Sequence, residues 1–432
     1  MLDIQFILQN KELIKNVINN KSTSGIEPND IDELEILYKQ IKELKNKINL
    51  LREERNKLAS LFKTQKPSQQ QIEHGKKLKS EIAELEEKLR RLQNKYNKIL
   101  TYIPNVYSND TPIGQDEEDN KVVYTWGKKP NFDFTPKTHD ALLKNLGVLD
   151  TERGVKVAGF RGYFLLGDLA LLHWAVLTYA FNYIVKKGFI PVIPPTIAKE
   201  FALFGSGQFP WGKEDTFKIA NPHAEQDYYL IGTAEQSLMA MLANETIPEN
   251  KLPLKFVGFS PAYRREVGAY QKDLKGIIRL HEFWKVEQVI IANSDENQAI
   301  KLHEQITKNA EEILQNLGLH YRKLAMCSGD MGNPHYKKYD LEVWMPGAKR
   351  YRETHSSSIM SDFQCRRNNI KVKHKNGKVT FAWSLNNTAI ASPRILAVLA
   401  ENYQNKDGSI TIPEVLRPLM FDKEKIEPIS LY

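Results

Sequence analysis

LKFVGFSPAYRREVGAYQKDLKGIIRLHEFWKVEQVII, Leu254 to Ile291, is the stretch from which the fold and the site are read. Its composition predicts two long strands joined by a charged, Gly-containing loop from about Val267 to Gly276. Side chains alternate along a strand, so Arg264 and Glu266 share one face and Tyr263 and Arg265 the other. In the second strand the same rule puts Arg279, His281, Phe283, Lys285 and Glu287 on one face, with Ile277, Val289 and Ile291 at its ends. Ile278, Leu280, Trp284, Val286 and Ile290 line the opposite, apolar face, which suits packing on helices. Buried charges cost several kcal/mol unless they are paired or spent on a ligand. A charged centre flanked by apolar residues therefore reads as the floor of a site for something charged that carries a flat ring. The alternative is a solvated outer face on which Arg and Glu pair weakly.

The 432 residues suffice for two or three domains, and 41% hydrophobic with 26% charged residues is ordinary soluble composition. A formal net charge of +8 points only weakly to an anionic partner. Cys327 and Cys365 make neither a disulfide framework nor a zinc site, because no CxxC pair exists. The start, MLDIQFILQNKELIKN, matches neither a signal peptide nor a transit peptide, and no run approaches the roughly 18 apolar residues that span a bilayer. No membrane association and a cytoplasmic location are expected.

Residues 1 to about 28 read as a short helix and a loop. Asp30 and Glu33 have capping-box spacing for the helix that follows. An a/d series runs from Leu34 to Phe62, broken only by Arg55, and a second runs from Leu78 to Ile99 beyond KTQKPSQQ. Two such helices make an antiparallel hairpin, each arm on the order of 50 Å long. Its outer faces carry Lys39, Lys42, Arg52, Lys76, Arg90 and Arg91 among glutamates. They suit either a solvated or dimerising rod or an arm that tracks a phosphate backbone. Residues 106–120, rich in Pro, Asn and Asp, read as a linker. Helices are expected at Thr138–Leu146 and Gly167–Lys187, and GFIPVIPPTIAKE forces an extended corner.

Three further segments carry polar residues that chemistry can use. YLIGTAE puts Thr233 and Glu235 in a turn that can hold an ammonium group or, more plainly, cap a helix. YRETHSSSIMSDFQCRR offers Glu353 and Ser356, hard oxygen donors suited to Mg²⁺ on a triphosphate, although Ser-rich stretches are also common in loops. In WSLNNTAIASPRILAVLAENYQ, Ser392 and Pro393 read as N-cap and first helical residue, so Arg394 lies in the first turn where anions bind.

YRREVGAYQKDLKGIIRLHEFWKVE resembles motif 2 of the class II aminoacyl-tRNA synthetases, and its GxIRxHxFxKVE ending is similar to that of the seryl-tRNA synthetase family. GFIPVIPPTIAKE resembles motif 1, which builds the family's dimer interface, and the stretch around Arg394 resembles motif 3. The resemblance implies an α+β fold: a coiled-coil hairpin within residues 1–105, then a class II catalytic domain over 121–432 with a central antiparallel sheet flanked by helices. It implies that L-serine is activated with ATP and Mg²⁺, without zinc, and joined to tRNA(Ser), and to tRNA(Sec) where present. The hairpin would embrace the tRNA's long variable arm, and the chain would work as a homodimer. Arg264 and Arg394 are the implied catalytic residues. Thr233, Ala234, Glu235, Arg264, Glu287, Asn386 and Thr388 are implied for serine. ATP falls to Arg264, Arg265, Glu266, Phe283, Glu353, Thr354, His355, Ser356 and Arg394, with Glu353 and Ser356 on the metal. Gly232 replaces the family's Pro, and Gln236, His355 and Ile359 also depart from its pattern. Two other functions compete. A ligase that loads a carrier protein would lack the hairpin and use zinc, and a non-catalytic RNA-binding module would have lost Arg264, Glu353 or Arg394.

Overall fold

The computed structural model describes residues 1–63, 65–221, 225–267 and 275–431, so most of the loop expected at 267–276 lies outside them. The chain forms two compact units, Met1–Pro104 and Asn105–Tyr432.

In the first unit, α1 (Ile4–Gln9) and α2 (Lys11–Asn20) precede α3 (Asp30–Leu61) and α4 (Gln69–Tyr102). The 32 and 34 residues of α3 and α4 make arms about 50 Å long. Lys47 bonds Glu81 at 2.9 Å and His74 bonds Glu54 at 2.9 Å, the pairing of antiparallel helices. Leu34, Leu37, Ile41 and Ile48 of α3 are buried, as are Leu78 and Ile82 of α4. Leu44, Leu51, Leu85 and Leu89 are only half-buried, because a two-helix seam cannot enclose its own side chains. The capping box expected at Asp30 does not form. Asp30 is already helical, and its carboxylate accepts the Glu27 N–H at 2.8 Å. The box lies instead at the start of α4, where Ser68 and Gln71 satisfy each other's backbone N–H groups.

The second unit is built on an eight-stranded sheet. In chain order the strands are β1 (Lys121–Trp126), β2 (Ile190–Val192), β3 (Leu254–Tyr263), β4 (Glu282–Ala292), β5 (Tyr321–Ala325), β6 (Lys337–Met345), β7 (Arg350–Ser361) and β8 (Trp383–Ser392). Their spatial order is β1-β5-β6-β7-β8-β4-β3-β2. Every pairing is antiparallel except that of β2 with β3. Helices α5 (His139–Asn145), α6 (Gly167–Lys186), α7 (Ala234–Met241), α8 (Glu296–Asn316), α9 (Phe363–Asn368) and α10 (Arg394–Asn402) flank it. By length and composition α6 is apolar enough to cross a membrane, contrary to the sequence expectation. Its Leu169, Leu172, Val176, Leu177, Ala180 and Ile184 are buried in the cluster that also holds Val286, Ile290 and Ile390 of the sheet.

Two expectations are corrected here. The second strand begins at Glu282 rather than Ile277. Residues 275–281 form turns, with Ile277, Ile278 and Leu280 buried. The stretch expected as a linker, 106–120, is bonded along the second unit. Asn105 at its start is fully buried and donates to Pro334 O, Met360 O and Ser361 Oγ. Beyond it, Ser108, Pro112, Gly114 and Asn120 bond the backbone or side chains of residues 327–336. Pro and Asn mark an irregular path, and its polar groups find partners on the loop between β5 and β6 rather than in water.

Candidate active site

Charged side chains from four strand ends meet on one face of the sheet. Arg264, Glu266, Phe283, Glu353, Thr354, Ser356, Thr388 and Arg394 line a single cavity with Lys285 and the 277–280 turn. The Arg264 guanidinium lies 5.3 Å from the centre of the Phe283 ring, and its Nε donates to Gly232 O at 3.4 Å. Arg394 comes from the opposite wall, donating to Glu353 O at 3.0 Å and to Ile278 O at 3.3 Å. Glu266 bonds Arg279 at 2.9 Å and holds a backbone φ of +55°, uncommon for a residue with a side chain.

Two register shifts bring these residues to one face. Glu353 and Ser356 are three apart and would point to opposite sides of a regular strand. Thr354 is an extra residue between the pairs Leu341–His355 and Glu342–Glu353, so Ser356 returns to the side of Glu353. On β8, Ala389 is extra between Val286–Ile390 and Glu287–Thr388, which sets Thr388 opposite Glu287. The same bulge pattern disposes of a predicted ATP residue. His355 is buried behind the sheet, with Nε2 on Ala389 O at 3.0 Å, and burial pushes its pKa down to about 4. Arg265 also leaves the group. It donates to Glu214 O at 2.9 Å and lines a neighbouring cleft with Phe160, Arg161, Phe217 and His281. Ser392 does not cap α10, whose N-cap position is Pro393; its Oγ bonds His173 Nδ1 at 2.9 Å.

Beside the cavity lie two carboxylates. Glu287 is buried, accepting from Lys285 Nζ at 2.6 Å and from Thr388 Oγ1 at 3.3 Å. Glu235, the second residue of α7 beyond its N-cap Thr233 and backed by buried Ala234, accepts from Gln364 Nε2 and Asn386 Nδ2, each at 2.6 Å. Burial, and then the charge of Glu287, push Glu235 up to about 7 against those two amides. Glu353 is held below its ordinary value. Desolvation opposes this, and Arg394, Lys338 and Arg264 overcome it. Asp340, opposite Ser356 in the register, has a buried Oδ1 with no hydrogen-bond partner. These oxygens suit a hard divalent cation held by Glu353 and Ser356.

Arg279 and Lys285, which the alternation sets on the face of Phe283 and Glu287, line the cavity although the resemblance gives them no role. Gln364 is the residue that the sequence does not single out. Gln364 reaches Glu235 across 129 positions of chain, which no local pattern shows. The departures at Gly232 and Gln236 belong together: Gln236 Oε1 accepts the Gly232 N–H at 3.0 Å, a donor that proline lacks.

Residues 217–403 match the model of the tRNA synthetase class II core domain (G, H, P, S and T), and residues 1–107 that of the seryl-tRNA synthetase N-terminal domain. The serine–tRNA ligase of Deinococcus radiodurans is 38% identical over 426 residues, 98% of each chain. Seryl-tRNA synthetase from Pyrococcus horikoshii complexed with ATP superposes with TM-score 0.89 at 35% identity over 100% of both chains. The cytoplasmic serine–tRNA ligase of Naegleria fowleri in complex with AMP gives 0.85 at 29% identity, covering 100% of this chain and 99% of its own.

Proposed function

This chain belongs to the seryl-tRNA synthetase family, with the serine–tRNA ligase activity of that family, and from that premise we propose how its residues divide the work. Serine, ATP and tRNA are its substrates. The observation that carries the assignment is the meeting of Arg264, Phe283, Glu353 and Arg394 around one cavity, next to the Glu235–Glu287 pair.

Adenine stacks on Phe283, with Arg394 over its other face and Glu266 accepting from its amine once Arg279 yields. The ammonium of serine sits against Glu235 and Thr233, and its hydroxyl reaches Glu287 and Thr388, with Asn386 holding Glu235 in place. Arg264 neutralises both the serine carboxylate and the α-phosphate, which otherwise repel. The carboxylate oxygen attacks the α-phosphorus, the bond to the bridging oxygen breaks, and pyrophosphate leaves. A ribose hydroxyl of the tRNA's terminal adenosine then attacks the seryl carbonyl, and AMP leaves with the bonding pair. Catalysis here is positioning and charge neutralisation, so no side chain acts as nucleophile. Mg²⁺ on Glu353 and Ser356 would supply positive charge to the triphosphate.

We further assign residues 1–105 to tRNA binding through the α3–α4 arm, residues 121–432 to catalysis, and the edge around Ile190, Ile193 and Ile197 to a homodimer contact. These three isoleucines are half or more exposed, Ile190 on the edge strand β2, Ile193 just beyond its end and Ile197 in the short strand Ile197–Lys199, which supports that last reading. The cytoplasm is the proposed location. The decisive assay incubates the protein with ATP, Mg²⁺ and labelled pyrophosphate. Label should enter ATP only when serine is present, and serine-independent or absent exchange would overturn the assignment.

A further inference from the structure

The 277–280 turn lines the nucleotide cavity without belonging to any strand, and three side chains hold its backbone. Arg394 Nε donates to Ile278 O at 3.3 Å, and Arg161 donates to Arg279 O at 2.9 Å. The third, like Arg161, comes from outside the cavity. His139, on α5, accepts the Ile277 N–H on its Nε2 at 3.3 Å in a fully buried contact. Its Nδ1 faces Glu401 Oε1 at 3.0 Å, so Nδ1 carries the proton and Nε2 the lone pair. Glu401 is itself buried in α10, seven residues beyond Arg394. Its two oxygens also accept the N–H groups of His139, Gly347 and Ala348. A Cβ at Gly276 would lie 2.0 Å from His139 Nε2, and Gly276 holds φ +76°, so glycine is what admits the imidazole to this contact.

We propose that His139 is a positioning residue for ATP: Glu401 fixes its tautomer and orientation, and its Nε2 clamps the turn that forms one wall of the nucleotide cavity. Both ends of the clamp start from one helix. Arg394 touches the wall directly and Glu401 reaches it through the imidazole, so α10 sets the distance between Arg394 and the wall facing it. The serine pocket lies beside this cavity on Glu235 and Glu287 and shares none of these bonds. The inference rests on the assignment of this cavity to ATP.

The test measures KM for ATP and for serine separately by pyrophosphate exchange. His139→Leu leaves the Ile277 N–H buried without a partner and should raise KM for ATP about tenfold, equivalent to about 1.4 kcal/mol, with KM for serine within about twofold of wild type. His139→Gln, whose amide oxygen can accept the same N–H, should recover most of that loss. Gly276→Ala pushes on the contact from the other side and should reproduce the ATP-specific rise, which covers the case in which His139→Leu does not fold. An unchanged KM for ATP, or equal rises for both substrates, would overturn the clamp. Arg394→Ala separates this failure from failure of the site. If it abolishes exchange while His139→Leu leaves KM for ATP unchanged, the nucleotide cavity stands and the clamp falls. If Arg394→Ala exchanges normally, both fall.

Discussion

Lys285 Nζ lies 2.6 Å from Glu287 Oε2, with the two side chains only 7% and 3% exposed. Removing one partner of such a pair strands a charge and costs about 3–5 kcal/mol, while replacing both by apolar groups is often neutral. Glu287→Ala should therefore lower the melting temperature and lose serine-dependent exchange. Lys285→Met combined with Glu287→Leu should recover the melting temperature and stay inactive. Full exchange in Glu287→Ala would remove Glu287 from the serine site.

Glu235 must be ionised to hold an ammonium group, and burial beside Glu287 has pushed it up to about 7. Protonation below that value discharges it, so the apparent serine affinity should rise as pH increases through about 7 and then level off. KM for ATP should show no matching step. Glu235→Gln should bind serine weakly at every pH and flatten the profile. A serine KM independent of pH from 6 to 8 (roughly one unit either side of neutrality) would contradict the assignment.

Glu353 is kept in its charged form by Arg394, Lys338 and Arg264. Glu353→Gln keeps the shape but loses the negative charge. It should raise the Mg²⁺ concentration for half-maximal exchange about tenfold, the scale of 1.4 kcal/mol. An unaltered Mg²⁺ titration would place the cation elsewhere.

Deleting Asp30–Leu100 removes α3 and α4, which pack on each other along their own seam. Exchange should survive at near wild-type rate while tRNA charging drops below detection. Loss of both activities would make the arm a structural necessity of catalysis instead.

Asn105 donates to three acceptors from a fully buried position. Asn105→Ala should destabilise the protein by roughly 2–3 kcal/mol in urea denaturation, with exchange kinetics at 25 °C unchanged. A change within 0.5 kcal/mol (about the scatter of ordinary surface substitutions) would mean the 105–120 stretch is held by its other bonds.

Charge in an otherwise apolar strand pattern was what exposed the site. Arg264, Phe283, Glu353 and Arg394 stand out because nothing about packing requires them, and the family resemblance assigned them roles. Period-2 alternation does not carry past the strand ends. Ile277 to His281 continue the period-2 lettering of β4, yet they form turns, since the Gly276 backbone and the His139 contact override the pattern. His355 and Arg265 were placed by adjacency in the motif, and a bulge and a strand end sent them elsewhere. Asp30 was chosen as a cap by spacing alone. Ser68 had the same spacing to Gln71, preceded a helix after a proline, and is the residue that caps. The pairings of Lys285 with Glu287 and of Gln364 with Glu235 are tertiary facts that one chain read alone cannot supply.

The extra residues Thr354 and Ala389 make this catalytic centre a matter of counting. Losing one residue at either place would straighten the strand: Glu353 and Ser356 would stand two apart in regular alternation, and Thr388 would still pair with Glu287. One face thus admits two spacings, a two-residue step on a regular strand and a three-residue step across a bulge. In relatives of this chain, a one-residue gap at 354 or 389 is therefore compatible with an intact centre, and a search that demands one fixed spacing would pass it over.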